Sequence, residues 1–144
     1  MAMSETNIKE ISPQQAWEIL ESEPRSVLLD VRTSMEYEYV GHPPNALHIP
    51  WMDAPDWNID AGFVNKVRQA LVKRTGSDQE LESIAILAIC RSGKRSQAAA
   101  EELARQGFDN LYNIEDGFEG DLDNNKHRNT INGWRFVDLP WEQS

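Results

Sequence analysis

Residues 84–96 read Ile-Ala-Ile-Leu-Ala-Ile-Cys-Arg-Ser-Gly-Lys-Arg-Ser, and this stretch decides the fold. Six consecutive apolar residues are typical of a strand that is buried on both faces of a parallel sheet. The polar loop that follows leads into Gln-Ala-Ala-Ala-Glu-Glu-Leu at 97–103, a segment of strong helix formers. A buried strand, a turn that contains glycine and a helix form the repeating unit of α/β domains. The stretch therefore predicts an α/β fold with Cys90 at the carboxyl end of a central strand.

The rest of the chain alternates in the same way between strand-like and helix-like segments. Capping boxes at Ser12 to Gln15 and at Thr33 to Glu36 mark two helix starts. Strands are predicted at 27–31, 46–49, 84–89 and 110–114, and helices from 13 onward, at 33–41, at 60–74 and at 96–106. This alternation predicts three layers, with a central, mostly parallel sheet of about five strands and helices on both faces.

The last part of the chain has a different character. From residue 115 onward it is rich in Gly, Asp, Asn and Trp and has no clear periodicity. We expect a single domain over residues 1–144, with a core at about 8–120 and an irregular tail at 121–144 that wraps over it. Trp134 and Trp141 are the predicted anchors of this tail.

The loop after the central strand combines a thiol with groups that bind anions. Backbone N–H groups at a helix N-terminus converge on one point, and Arg91, Lys94 and Arg95 add positive charge there. The same field favours thiolate over thiol, which makes Cys90 the candidate nucleophile. Gly93 is expected to supply backbone angles that other residues adopt only with strain. The predicted substrate-binding residues are Arg91, Ser92, Gly93, Lys94, Arg95 and Ser96.

This loop resembles the active-site loop of the rhodanese sulfurtransferases, which is of the Cys-x-x-Gly-x-Arg or Thr type. A second match lies upstream, where 29–42 reads Leu-Asp-Val-Arg-Thr-Ser-Met-Glu-Tyr-Glu-Tyr-Val-Gly-His and 46–50 reads Ala-Leu-His-Ile-Pro. The family signature there is Asp-Val-Arg, Glu-Tyr or Glu-Phe, Gly-His, Gly-Ala and Ile-Pro. One departure is Asn45, which stands where the family often has glycine, and asparagine tolerates positive φ. The resemblance covers about residues 8–120 and is to the small bacterial single-domain type.

The resemblance implies the rhodanese-like fold and a sulfur-transfer reaction. Cys90 would attack the sulfane sulfur of thiosulfate or a related small anionic donor, release sulfite and hold a persulfide. Because the sequence holds no second cysteine, the acceptor is expected to be external: cyanide, a thiol or a protein. The resemblance also puts Asp30 and Arg32 in the wall beside the site, and Glu36 is a third candidate for a supporting structural role. Arg32 and Glu36 are four residues apart, and an ion pair or hydrogen bonds to the neighbouring loop are expected to fix the turn there.

Composition and motif spacing argue against several other classes of function. The formal net charge of −10 and the sequence pI of about 4.7 are unsuited to a nucleic-acid partner, which needs a basic face. No apolar stretch approaches the roughly 18 residues that cross a membrane. The N-terminus lacks the features of a secretory signal, so a cytoplasmic location is expected. His42, His48 and His127 share no metal-type spacing, and neither a metal nor another cofactor is expected.

Two alternative functions stay open at this point. A rhodanese-fold persulfide carrier or protein-interaction module would use the same loop without turning over a small donor. A cysteine-dependent phosphatase or arsenate reductase also uses a thiolate in an anion cradle, but such enzymes resemble Cys-x5-Arg. Here Arg95 comes five positions after Cys90 and Ser96 comes six after it, so the ring is too short for a tetrahedral oxyanion.

Overall fold

A sheet of parallel strands forms the centre of the molecule. The structure is a computed structural model, and it describes residues 7–143. Within that range the strands are β1 (Lys9–Ile11), β2 (Val27–Asp30), β3 (Leu47–His48), β4 (Ile86–Ile89) and β5 (Leu111–Ile114), in the spatial order β1-β5-β4-β2-β3. The α-helices are α1 (Pro13–Ser22), α2 (Phe63–Thr75) and α3 (Lys94–Arg105). The predicted α/β fold is confirmed, and each of the strand pairs is parallel.

Strand β4 occupies the middle of the sheet because it is apolar on both faces. All four of its residues are buried, as a continuous apolar run predicts. On one side it pairs with β2, where Ile89 lies opposite Asp30. On the other side it pairs with β5, where Ala88 lies opposite Asn113. The carboxyl ends of three strands therefore meet around Cys90, which follows β4 directly.

Helices cover one face of the sheet, and a helix together with the tail covers the other. On the first face α2 and α3 bury large side chains such as Phe63, Leu71 and Leu103. On the second face α1 packs beside Phe118 and Trp134. Each such side chain stabilises the fold by roughly 1.5–3 kcal/mol. Among the described residues, no helix combines the length and the apolar character needed to cross a membrane.

Both predicted capping boxes are present. Ser12 Oγ accepts a hydrogen bond from the Gln15 N–H at 3.1 Å, and Gln15 Oε1 accepts one from the Ser12 N–H at 2.9 Å. Thr33 and Glu36 exchange the same two kinds of hydrogen bond at 3.2 and 3.1 Å. The element that follows the second box is a short π-helical turn at Glu36–Val40, where an ordinary brief helix was expected.

Two further features of the fold differ from the sequence prediction. Strand β1 was not predicted, because Lys9 and Glu10 are exposed and only Ile11 is buried. It forms because these three residues pair with β5 at the edge of the sheet. Helix α3 begins at Lys94, two residues earlier than predicted, so the loop between β4 and α3 is short.

The tail packs against the sheet through one fully buried tryptophan. Trp134 is 0% exposed, meets Trp17 edge to face with 6.0 Å between ring centroids, and donates from Nε1 to the Pro140 carbonyl at 2.8 Å. Trp141 is 40% exposed and lies against Phe118, with 6.4 Å between ring centroids. Trp134 is therefore the stronger anchor of the two.

Candidate active site

Cys90 lies at the carboxyl end of β4 and is almost completely buried. Only 1% of its surface is exposed. Helix α3 starts at Lys94, so the turn between strand and helix contains just three residues after the cysteine. This is the crevice where α/β sheets usually bind ligands, and it faces the positive end of the α3 dipole.

The segment after β5 fixes the orientation of the loop peptides. The Phe118 N–H donates to the Cys90 carbonyl at 2.8 Å, and the Glu119 N–H donates to the Arg91 carbonyl at 3.0 Å. The C=O and N–H of one trans peptide point in opposite directions. The N–H groups of Arg91 and Ser92 therefore point away from the 118–119 segment.

Gly93 is required by both its backbone angle and its surroundings. Its φ of 108° lies in the left-handed region, and a Cβ there would collide with the carbonyl oxygen of Glu115. The turn it forms brings its N–H within 3.1 Å of Cys90 Sγ, to which it donates a hydrogen bond. A glycine at this position thus aims one backbone dipole at the sulfur.

Ser96 contacts the sulfur through its side chain, and Asn113 contacts Ser96 in turn. Ser96 Oγ lies 3.2 Å from Cys90 Sγ and 2.5 Å from Asn113 Oδ1. Ser96 is 0% exposed and Asn113 is 3% exposed. Sequence reasoning missed Asn113. The available signal was a polar residue within the otherwise apolar strand β5.

Arg95 is held by Glu36 in a bidentate ion pair. Arg95 Nη1 donates to Glu36 Oε1 at 2.8 Å and Nη2 donates to Oε2 at 2.9 Å. Burial acts to raise the pKa of Glu36, but the hydrogen bonds and positive charge of Arg95, with the hydrogen bonds from Thr33, outweigh it and lower the pKa to about 2. The hydrogen bonds to Glu36 in turn raise the pKa of Arg95 against the effect of its burial. The pair ties the start of α3 to the turn after β2.

The three positively charged side chains of the loop line two different cavities. Arg91 and Arg95 line a cavity of about 350 Å³ together with Met52 and Trp57. Lys94 lines a different cavity of about 380 Å³, which Ser92, Gly93, Glu10 and Glu115 also border. The structure thus brings two of the three predicted cations to one space, and one of those two is already neutralised by Glu36.

A larger cavity of about 560 Å³ contains none of the loop residues. It is bordered by the carboxylates Asp53, Asp56 and Asp60 and by Lys66, which forms an ion pair with Asp60. The charge that remains in this lining is negative and therefore unfavourable for an anion. Of these two cavities, the smaller one beside Arg91 and Arg95 is the more favourable for an anion.

Asp30 and Arg32 form a buried ion pair behind the site. Arg32 Nε donates to Asp30 Oδ1 at 3.0 Å and Nη2 donates to Oδ2 at 2.7 Å, and both side chains are 0% exposed. The guanidinium also lies 4.3 Å from the centroid of the Phe118 ring, in the segment that orients the loop. The considered ion pair between Arg32 and Glu36 is wrong, because each side chain has a nearer partner: Asp30 for Arg32 and Arg95 for Glu36. The expected hydrogen bond to the neighbouring loop does form, from Arg32 Nη2 to the Gly41 carbonyl at 2.7 Å.

The histidines lie outside this constellation. His42 and His48 stack on opposite sides of Tyr37, at 3.8 and 4.1 Å between ring centroids. His127 lies in the tail, where its backbone N–H donates to Asp123. Over residues 7–143, no group of three His, Cys, Asp or Glu side chains is arranged to hold a metal ion.

Comparison with known proteins relates this chain to a family. The family model described as Rhodanese-like domain matches residues 12–123. The chain is 36% identical over 119 residues to the thiosulfate sulfurtransferase GlpE of Actinobacillus pleuropneumoniae serotype 3 (strain JL03), with 82% of this chain and 89% of that protein covered. It is 31% identical over 142 residues to the protein called "Uncharacterized protein RP600 homolog" of Rickettsia rickettsii, with 94% and 98% covered.

Solved structures agree with this relationship. The crystal structure of Rv0390 from M. tuberculosis matches with a TM-score of 0.79 and 35% identity, covering 94% of this chain and 98% of that chain. The polysulfide-sulfur transferase of Wolinella succinogenes matches with a TM-score of 0.58 and 21% identity, covering 98% and 82%, a likeness that concerns the fold alone. Because the family match spans most of the chain and relatives above 30% identity align over most of both lengths, the chain belongs to the rhodanese-like domain family.

Proposed function

We propose that this protein is a sulfurtransferase that moves a sulfane sulfur from thiosulfate or a related donor, through a persulfide on Cys90, to a thiophilic acceptor. The observation that carries the proposal is the position of the Cys90 sulfur. It is 1% exposed, accepts a hydrogen bond from the Gly93 N–H, and lies at the N-terminus of α3. This environment favours a nucleophilic sulfur and shields a reactive adduct from solvent.

The proposed reaction has two displacement steps at sulfur. In the first, the Cys90 thiolate attacks the outer sulfur of thiosulfate, a sulfur–sulfur bond to Sγ forms, and sulfite leaves with the electron pair of the broken bond. In the second, the acceptor attacks the outer sulfur of the persulfide, and Cys90 leaves as a thiolate. No oxidant or reductant is consumed, because the sulfane sulfur only changes its partner.

Backbone groups of the loop are suited to hold the charge on the outer sulfur. The N–H groups of Arg91 and Ser92 are turned away from the 118–119 segment by the hydrogen bonds of their peptide carbonyls. Donors fixed in advance stabilise a developing anion without reorganisation, as in an oxyanion hole. We assign these N–H groups, with that of Gly93, to the persulfide.

Arg91 is the residue best suited to recognise the sulfonate of the donor. Its side chain borders the 350 Å³ cavity, and within residues 7–143 it forms no ion pair. Arg95 borders the same cavity, but Glu36 already occupies its guanidinium. We therefore propose that Arg91 supplies the free positive charge and that Arg95 holds the loop in shape.

The acceptor is proposed to be an external nucleophile. Cys90 is the only cysteine of the sequence, so no second thiol of the same chain can take the sulfur. Cyanide, a low-molecular-weight thiol or a protein thiol each satisfies the second displacement.

Counting sulfite released per chain separates an enzyme from a carrier. The protein is mixed with thiosulfate in excess, with and without cyanide, and Cys90→Ser serves as the matched control. An enzyme releases many equivalents of sulfite when cyanide is present and about one equivalent when it is absent. Release that stops at one equivalent in the presence of cyanide would identify a carrier, and release that is equal in Cys90→Ser would exclude both functions.

A further inference from the structure

Asn113 connects the active-site sulfur to the edge of the sheet. It lies in β5, opposite Glu10 of β1 and Ala88 of β4. Because side chains alternate along a strand, Asn113 and Leu111 point to the α3 side of the sheet, where Ser96 lies. A polar side chain buried at this depth needs a partner for each of its hydrogen-bonding atoms.

The orientation of the Asn113 amide is fixed by two acceptors. Its Nδ2 donates to Glu10 Oε1 at 3.0 Å and to the Gly93 carbonyl at 3.1 Å. A carboxylate and a carbonyl can only accept, so the amide nitrogen must face them and both of its protons are used. Asn113 Oδ1 is thereby turned toward Ser96.

The direction of the Ser96 hydroxyl follows from that of the amide. Ser96 Oγ lies 2.5 Å from Asn113 Oδ1, and the amide oxygen carries no proton. Two oxygens at this distance need a proton between them, so the single hydroxyl proton of Ser96 lies on the Asn113 side. Cys90 Sγ, at 3.2 Å, then faces a lone pair of the Ser96 oxygen.

We propose that Asn113 is a positioning residue that makes the Ser96 hydroxyl an acceptor toward Cys90, so that this single contact opposes the thiolate that the Gly93 N–H and the N-terminus of α3 favour. A thiol satisfies the arrangement by donating its S–H proton to Ser96 Oγ. A thiolate has no proton to donate and meets the oxygen lone pair instead. To donate a hydrogen bond to the thiolate, the Ser96 hydroxyl would have to turn its proton away from Asn113 Oδ1. The buried Asn113 oxygen would then have no donor, which is costly.

The persulfide is the second form that suits this arrangement. In a persulfide the negative charge lies on the outer sulfur, and Sγ is neutral and bonded to both neighbours. Ser96 can then keep its hydrogen bond to Asn113 while the loop N–H groups hold the charge. This part of the inference rests on the proposed function, whereas the direction of the Ser96 hydroxyl does not.

The rate of Cys90 alkylation by iodoacetamide, measured from pH 5 to pH 10, tests the inference without any sulfur donor. In Asn113→Ala the hydroxyl is free to donate to the thiolate, so the midpoint of the rate profile should move down by about one pH unit. Asn113→Leu keeps more of the side-chain volume, also lacks an acceptor, and should give the same shift. In a Ser96→Ala background, Asn113→Ala should leave the midpoint where Ser96→Ala alone puts it.

Three outcomes would overturn the inference. These are an unchanged or higher midpoint in the folded Asn113 variant, a shift of opposite sign in Asn113→Leu, and an equal downward shift in the Ser96→Ala background. Near-ultraviolet circular dichroism checks that each variant is folded. Because alkylation involves neither a sulfur donor nor a sulfur acceptor, the result is independent of whether the protein transfers sulfur.

Discussion

Replacing Glu36 with glutamine tests how firmly the active-site helix is tied to the turn after β2. Glutamine keeps an oxygen that can accept the hydrogen bonds from Thr33, but it removes the charge and one of the two acceptors for Arg95. The variant therefore isolates the ion pair from the capping box. It also leaves the Arg95 guanidinium half-buried without a counter-charge, which is costly.

The magnitude follows from the pKa of Glu36, which is about 2 in the folded protein against 4.5 for an ordinary glutamate. That difference corresponds to about 3.4 kcal/mol of stability at neutral pH. The two side chains are 22% and 20% exposed, so solvent screens part of the interaction, and about 2–3 kcal/mol is the expected effect. Because the folded-state pKa is lowered, this stability is fully present above pH 4.5 and is lost as the pH falls toward 2.

Urea unfolding of the wild type and of Glu36→Gln at several pH values between 2.5 and 7 measures the effect. The difference in free energy of unfolding should be about 2–3 kcal/mol at pH 7 and less than half of that near pH 3. Glu102→Gln is the matched control, because Glu102 pairs with Arg105 at 2.8 Å on an exposed part of α3. It should cost less than about 1 kcal/mol. A Glu36→Gln variant as stable as Glu102→Gln, or a difference that does not depend on pH, would refute the reasoning.

Three further substitutions have definite expected outcomes. Gly93→Ala should lower the free energy of unfolding, measured in urea, by at least about 1–2 kcal/mol and should abolish turnover. The reason is that φ is 108° and the added Cβ would collide with the Glu115 carbonyl oxygen. Turnover at the wild-type rate would contradict this. Arg91→Ala should raise the KM for thiosulfate about tenfold and the KM for an uncharged polysulfide much less. Lys94→Ala is the matched control, because it removes the same charge beside another cavity, and it should change neither KM by much. Equal effects of the two variants would exclude a specific role for Arg91. Trp134→Ala should cost about 3–5 kcal/mol in thermal or urea unfolding, since the side chain is 0% exposed; a loss below about 1 kcal/mol would show that the tail is dispensable.

Features that depend on neighbouring residues could be predicted from the sequence. The apolar run at 84–89 indicated a central strand because burial on both faces leaves no room for polar alternation. The capping box at Ser12 indicated a helix start because both of its hydrogen bonds span three residues. Cys90 as the candidate nucleophile came from the same local pattern of strand, loop and helix.

Features that depend on distant residues could not be predicted in this way. Glu36 lies 59 residues from Arg95, and the sheet order brings them together by placing β2 beside β4. Asn113 reaches Ser96 only because β5 is the other neighbour of β4. Strand β1 exists through its pairing with β5, since two of its three residues are exposed.

The ion-pair partner of Arg32 could not be predicted from the sequence for a third reason. A spacing of four residues suggests Glu36 as a partner on a helix. Arg32 instead follows the end of β2, and its side chain folds back on Asp30, two residues earlier. Helical spacing rules do not apply where the chain leaves a strand, so the correct partner depended on a backbone geometry that the sequence pattern does not encode.

The intact mass of the protein after incubation with thiosulfate tests the central claim most directly. The account predicts a gain of about 32 Da, one sulfur, that disappears when cyanide is added. Because Cys90 is the only cysteine, the gain must be absent from Cys90→Ser, a variant of nearly the same side-chain size. A wild-type mass that stays unchanged with thiosulfate, 3-mercaptopyruvate and polysulfide, or an equal gain in Cys90→Ser, would contradict a persulfide on Cys90.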